Sequence, residues 1–315
     1  METQDNSVSA TGARRGQSGL IALIQALRPR QWVKNLLVFL PFVFAINVAW
    51  SPHNPAPVPE LWLRAAAVFL AFCALSSGVY LFNDLMDRKA DALHPRKRHR
   101  PIASGSLAVA PAVGVIALLA LLGLAVMTYL SLLLGLISLI YLTINLGYST
   151  GIKDIVLLDV IAVASGYVIR AVAGAVAIGV APSPWLYTAT AAGALFIVLG
   201  RRYAEVRLAG NDAAAQRSVL ADYAGPFIGQ LLNIAATAAL VSYTLYTVEA
   251  ENLPDNHTML LTIPFVVFGL FRYLYLLNTS QDAESPEQLF SRDLPLLVSI
   301  IGWTGVSVLV LTLNA

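Results

Sequence analysis

The sequence predicts an all-α fold: a polytopic membrane bundle of nine transmembrane helices, N-terminus in the cytosol and active site at the cytosolic side. Three observations predict it. Hydrophobic residues make up 57% of the 315-residue chain and charged residues 12%, against roughly 25% charged in soluble domains. Apolar stretches long enough to cross a ~30 Å hydrocarbon core recur along it. Lys and Arg crowd into alternate connections between those stretches, as cytosolic loops do. This excludes a soluble enzyme, a disordered chain and a nucleic-acid binder built on a basic surface. One cysteine, Cys73, excludes a disulfide framework, and four histidines argue against a zinc site.

Residues 1–19 are polar and lack the apolar core of a secretory signal, so they are expected to form a flexible cytosolic tail. Residues 20–315 form one transmembrane catalytic domain. Leu20 to Leu27 is short, apolar on one side and ends at Arg28-Pro29, as an interfacial helix would. Nine spans follow, at about 33–49, 61–82, 108–127, 130–147, 155–178, 184–200, 223–247, 258–277 and 294–313. The third and fourth are nearly continuous, with the turn expected at Met127-Thr128-Tyr129. With the N-terminus inside, the bases at 28–34, 88–100, 153, 201–217, 272 and 292 all fall at the inner face. Arg64 falls near the outer face and Arg170 within a span. The outer loops are Pro-rich (51–59), very short, or acidic (Glu249, Glu251, Asp255). The chain is thus expected to be a multi-pass protein of the plasma membrane.

Four polar clusters stand out, all at cytosolic helix ends or just inside them. After the second span come Asn83, Asp84, Asp87 and Asp91, then six bases including Lys97 and Arg100. On a continued helix the three carboxylates share one face. They repel one another, and a hard cation such as Mg²⁺, which takes carboxylates plus substrate phosphate oxygens, relieves the repulsion. A solvated mixed-charge loop is the plainer alternative. Tyr148, Lys153, Asp154 and Asp159 open the fifth span. Asp154 is either a helix cap or a further metal ligand. Asp159 lies inside an apolar span, where an ionised group is costly and usually functional. Asp159, Gly166 and Arg170 fall on one face, but Asp159 and Arg170 are roughly 16 Å apart along the axis. Either the cavity is deep or the helix bends near Gly166. Gly200-Arg201-Arg202-Tyr203-Ala204-Glu205 closes the sixth span, and Arg28 to Asn35, with Trp32 and Lys34, opens the first. For both, an interfacial belt of bases and aromatics is the alternative. Transporter sites sit nearer midplane, so the pattern suits a place where a soluble anion meets a lipid.

The block Asn83-Asp84-x-x-Asp87-x-x-x-Asp91, running into His94-Pro95 and Arg100-Pro101-Ile102-Ala103-Ser104-Gly105, resembles the UbiA prenyltransferase superfamily over nearly the whole chain. The second Asp pair, Asp154 and Asp159, is one residue wider than the superfamily's usual spacing. Within the superfamily, Arg28 to Asn35, Tyr167 to Ala171 and Gly200 to Glu205 look like the decaprenyl-phosphate phosphoribosyltransferase family, with Arg201 where that family usually has Lys. The resemblance implies a Mg²⁺-dependent transfer of 5-phosphoribosyl from phosphoribosyl diphosphate to a polyprenyl phosphate, feeding arabinan (arabinogalactan) synthesis for the cell wall. It implies Asp84, Asp87 and Asp91 as Mg²⁺ ligands, with Asp154 or Asp159 joining. Asn83, Lys34, Trp32, Lys97, Arg100, Tyr148, Lys153, Arg170, Arg201, Arg202 and Tyr203 would bind substrate, Trp32 and Lys34 at the acceptor end. Prenyl transfer from a prenyl diphosphate is the runner-up, and a transporter or non-catalytic lipid-binding protein comes third. The implied partners are those two substrates and the membrane, not nucleic acid; a homo-oligomer is left open.

Overall fold

The computed structural model describes residues 19–94, 97–181, 183–210, 219–223, 225–250, 253–254, 256–281 and 283–313. Residues 1–18 of the tail expected over 1–19, and Arg96, Arg217, Glu251 and Asp255, lie outside them; Gly19 opens the first helix. Every described element is helical apart from isolated bridges near residues 46–54. That is the solution lipid imposes, since a helix satisfies its own backbone where no water can. The chain is a multi-pass membrane protein.

The interfacial helix is present as α1 (Gly19–Leu27), which buries Ala22 and Ala26. The first predicted span differs from expectation. Residues 33–49 are not one α-helix: Pro29–Phe39 winds as a 3₁₀-helix and only Leu40–Phe44 (α2) is α-helical, followed by turns. Pro29 and Pro41 each open one of these pieces, where their missing N–H groups cost nothing. The remaining spans are α3 (Val58–Met86), α5 (Val109–Leu130), α6 (Leu132–Thr150), α7 (Leu158–Ala177), α8 (Pro184–Ala209), α10 (Phe227–Glu249), α11 (Ile263–Thr279) and α13 (Leu294–Leu313). Short helices α4 (Arg88–Leu93), α9 (Val219–Asp222) and α12 (Pro286–Arg292) lie between them. Among the described residues seven helices are long and apolar enough to cross a membrane; α8, which carries the sixth predicted span, is not among the seven. The break between α5 and α6 is at Ser131, not at 127–129. Ser131 turns to extended backbone and its hydroxyl caps Leu133 N.

Two halves pack side by side. One is built on α3, α5, α6 and the 3₁₀ segment around Phe72, Leu75 and Met127. The other is built on α8, α10 and α11 around Phe196, Tyr223 and Tyr273. Helix α7 touches both. Its Gly174 lets Val38 of the 3₁₀ segment approach: a Cβ there would stand 2.1 Å from the Val38 carbonyl oxygen. That close approach sets Arg170, one turn earlier on α7, against Asn35 of the 3₁₀ segment. Leucines such as Leu118, Leu121 and Leu139 stay exposed on the outer faces of α5 and α6, as lipid-facing residues do.

Candidate active site

The four clusters meet at one end of the bundle. Helix α3 ends at Met86, and Asp87 serves as hinge between α3 and α4. The break divides the three carboxylates. Asp84 and Asp91 are buried and turn to the same guanidinium: Arg100 Nη1 donates to Asp84 Oδ1 at 3.1 Å and to Asp91 Oδ2 at 2.7 Å. Arg28 Nη2 donates to the same Asp84 oxygen at 2.6 Å. Asp87 instead accepts from Lys153 Nζ at 2.5 Å and from Asn83 at 3.2 Å. The expectation of three carboxylates on one stripe is therefore corrected to a pair plus a neighbour.

Local structure aims the two arginines. Arg28 adopts a left-handed backbone (φ 53°, ψ 58°), which costs a non-glycine residue roughly 1–2 kcal/mol. The strain is held by Ser77, whose hydroxyl donates to Leu27 O at 2.9 Å and accepts from Trp32 Nε1 at 3.0 Å. The Arg28 guanidinium then lies over the Tyr80 ring, 5.2 Å from its centroid. Arg100 is returned toward α3 by a turn in which Leu107 N bonds Pro101 O. Ile102 and Leu107 anchor that turn against Ala22, Ala26 and Leu81.

The second centre is sealed. Asp159 is fully buried; it accepts from Arg202 Nε at 2.8 Å and from the Tyr223 hydroxyl at 2.5 Å. Arg202 also bonds Glu205, and reaches the Tyr148 hydroxyl at 3.4 Å. Tyr223 accepts from Leu157 N, pinning another positive-φ residue at the entry to α7. So the partner of Asp159 is Arg202, not Arg170, and no deep Asp159–Arg170 channel is needed. Arg170 is buried, and among the described residues no carboxylate pairs with it. It donates to Asn35 Oδ1 at 2.6 Å, Gly166 O at 2.5 Å and the Tyr141 hydroxyl at 3.1 Å, with its guanidinium over the Tyr141 and Phe72 rings.

Other expected residues scatter. Asp154 is exposed at the end of a 3₁₀ turn, away from Asp159's partners. Tyr203 turns to Asn278 of α11. Trp32 is occupied with Ser77, and Lys97 is exposed. Arg201 bonds Glu205 and is half exposed. Sequence reasoning missed Tyr223 and Asn35 as partners of the buried charges. It missed Glu287 of α12 as well, which accepts from Gln31 Nε2 at 2.6 Å.

Among the described residues no three His, Cys, Asp or Glu side chains form a metal-ligating group. The chemistry of the pair still suits Mg²⁺, which is commonly held by one or two carboxylates plus substrate phosphates. Asp84 and Asp91 already converge on one cationic nitrogen.

Fold and site describe a membrane-embedded helical bundle with paired acids and bases gathered at one end. The model of the UbiA prenyltransferase family matches residues 38–296, and the chain belongs to that family. It is 33% identical to a decaprenyl-phosphate phosphoribosyltransferase of Mycolicibacterium smegmatis over 90% of each chain. To the enzyme of the same name from Corynebacterium glutamicum it is 34% identical, over 89% of this chain and 84% of that one. Its fold resembles a UbiA homologue from Archaeoglobus fulgidus solved with DMAPP and Mg²⁺ (TM-score 0.65, 19% identity, covering 92% of this chain and 99% of that one).

Proposed function

We propose that the protein transfers the 5-phosphoribosyl group of phosphoribosyl diphosphate to a polyprenyl phosphate, working at the cytosolic face of the plasma membrane. The observation that carries this is the likeness, along nine-tenths of the chain, to curated enzymes of that name. The geometry supports it by supplying anion-binding groups beyond a single diphosphate clamp. Arg28 and Arg100 stand at the carboxylate pair, Lys153 at Asp87, the half-exposed Arg201 on α8, and Arg170 deeper in.

In this reading Asp84 and Asp91, with Asp87 beside them, would hold Mg²⁺, which neutralises charge on the leaving diphosphate. Arg28 and Arg100 exchange their carboxylates for diphosphate oxygens, and Asn83 orients the donor. A phosphate oxygen of the lipid forms its bond to C1 of the ribose as the bond from C1 to the diphosphate oxygen breaks, with inversion. A phosphate monoester is mostly ionised at neutral pH, so no strong general base is required. Positioning and electrostatics carry the rate. Lys34 and the exposed apolar flanks serve the acceptor, and the product enters arabinan synthesis.

One experiment tests donor, acceptor and orientation together. Sealed inverted vesicles and right-side-out vesicles are given labelled phosphoribosyl diphosphate, which does not cross bilayers, with Mg²⁺ and polyprenyl phosphate. Labelled lipid is expected from the inverted vesicles only. Label from right-side-out vesicles reverses the orientation. No labelled lipid from either, with transfer from a labelled prenyl diphosphate instead, gives the prenyltransferase reading.

A further inference from the structure

The proposed donor is an anion almost everywhere except at its sugar ring, whose hydroxyls donate hydrogen bonds. A group that reads those hydroxyls must be an acceptor, and it must stand among cations that would otherwise claim it. Most carboxylates at this end are taken. Asp84 and Asp91 share Arg100, Asp87 holds Lys153, and Asp159 and Glu205 both hold Arg202. Glu287 is different. Among the described residues no cation pairs with it; its side-chain partner is the neutral amide of Gln31, on Oε1. It is half-buried at the start of α12, against Gln31 of the 3₁₀ segment. Burial would push its carboxyl up, but Lys34, the Gln31 bond and Arg201 outweigh burial and hold it below the usual carboxylate range. It is therefore ionised at neutral pH. Gln31 sits one 3₁₀ turn after Arg28, with its N bonded to Arg28 O at 2.9 Å, so the segment that holds Glu287 through Gln31 is the one whose Arg28 reaches Asp84.

We infer that Glu287 is the donor-specificity residue: its carboxylate accepts hydrogen bonds from the vicinal hydroxyls of the pentose, while Gln31 fixes its orientation and the surrounding bases take the phosphates. Two oxygens of one carboxylate match two neighbouring hydroxyls, and a bond to a charged acceptor is among the stronger ones. A site built this way disfavours an analogue that lacks a hydroxyl, because one half-buried carboxylate oxygen then loses its donor.

This inference rests on the phosphoribosyl reading, and its test separates the two. Purified full-length protein is assayed with polyprenyl phosphate and either phosphoribosyl diphosphate or its 2-deoxy counterpart. The wild type is expected to prefer the ribose donor. In Glu287→Gln, kcat/KM for the ribose donor falls at least about tenfold while that for the deoxy donor, which keeps one of the two hydroxyls, falls several times less, so the preference narrows. Glu287→Asp keeps the charge but withdraws the oxygens by one methylene, and shows the same selective loss. That second variant carries the test should Glu287→Gln fail to fold. Equal losses on both donors in either variant would make Glu287 a mere tether for α12 and overturn the inference alone. No transfer by the wild type from the ribose donor would overturn the functional reading, and this inference with it.

Discussion

The two acidic centres at the working end look alike in sequence and differ in the fold. At Asp84 and Asp91 the carboxylates are buried but their cations are not: Arg28 and Arg100 keep 29% and 26% of their side chains exposed. Both arginines come from segments outside the long helices, one on strained backbone and one on a turn. At Asp159 both partners are sealed, with Arg202 at 6% and Asp159 at 0%. The acid is enclosed by Arg202 and Tyr223, and Tyr223 in turn holds the entry to α7. The first centre can trade its cations for a metal and a diphosphate. The second has nothing to trade with and joins α7 to α8. A buried ion pair is weak as a source of stability, but losing one partner strands a charge.

The largest expected effect falls on turnover. Asp84→Asn should abolish it while leaving the melting temperature in detergent nearly unchanged, since the amide oxygen still accepts from Arg28. Chelating divalent ions should reproduce the loss in the wild type. Full activity of Asp84→Asn with Mg²⁺ at donor saturation would break the comparison, because the open centre would then be no reaction centre. Next comes Arg202→Ala. It leaves Asp159 buried without its cation, which costs on the order of 3–5 kcal/mol, read as a large drop in melting temperature before any assay is run. Unchanged stability with lost activity would move Arg202 from scaffold to substrate site.

The apolar spans were legible because lipid demands long apolar helices, whatever their neighbours. The first span was not: its apolar residues fit a helix, but Pro29 and Pro41 set short starts, and only contact with α7 at Gly174 fixes the 3₁₀ path. The grouping of Asp84 and Asp91 near Arg100 was legible as a local block. The departure of Asp87 was not, because Lys153 lies 66 positions away. Helical spacing placed Asp159 and Arg170 on one face, yet spacing along a helix says nothing of a partner on the next one, and Arg202 on α8 prevailed. Glu287 escaped notice because nothing sets it apart from Asp282 and Glu284 just before it until Gln31 is folded against it.

The smallest effect belongs to a third acidic site, Asp293, whose side chain keeps 13% of its surface exposed against 2% for Asp84 and 0% for Asp159. Asp293 accepts from Arg272 through both oxygens, at 3.1 and 2.8 Å, and caps Leu296 N at the start of α13. The Arg272 hydrogen bond holds its carboxyl below the usual aspartate range, outweighing burial, which acts to raise it. A depressed folded value means the pair's contribution is fully present above the unfolded value, about 3.9. It is lost as pH falls through the folded one. Solvent reaches this pair, so exchange with water and salt leaves it little net worth. Asp293→Asn should therefore lower the melting temperature only slightly at neutral pH. The difference from the wild type should shrink with added salt and vanish at acid pH as Asp293 itself protonates. A loss at neutral pH as large as that of Arg202→Ala would show that exposure does not separate exchangeable pairs from structural ones in this bundle. The contrast between the two buried centres would then have to rest on the strained backbone of Arg28 alone.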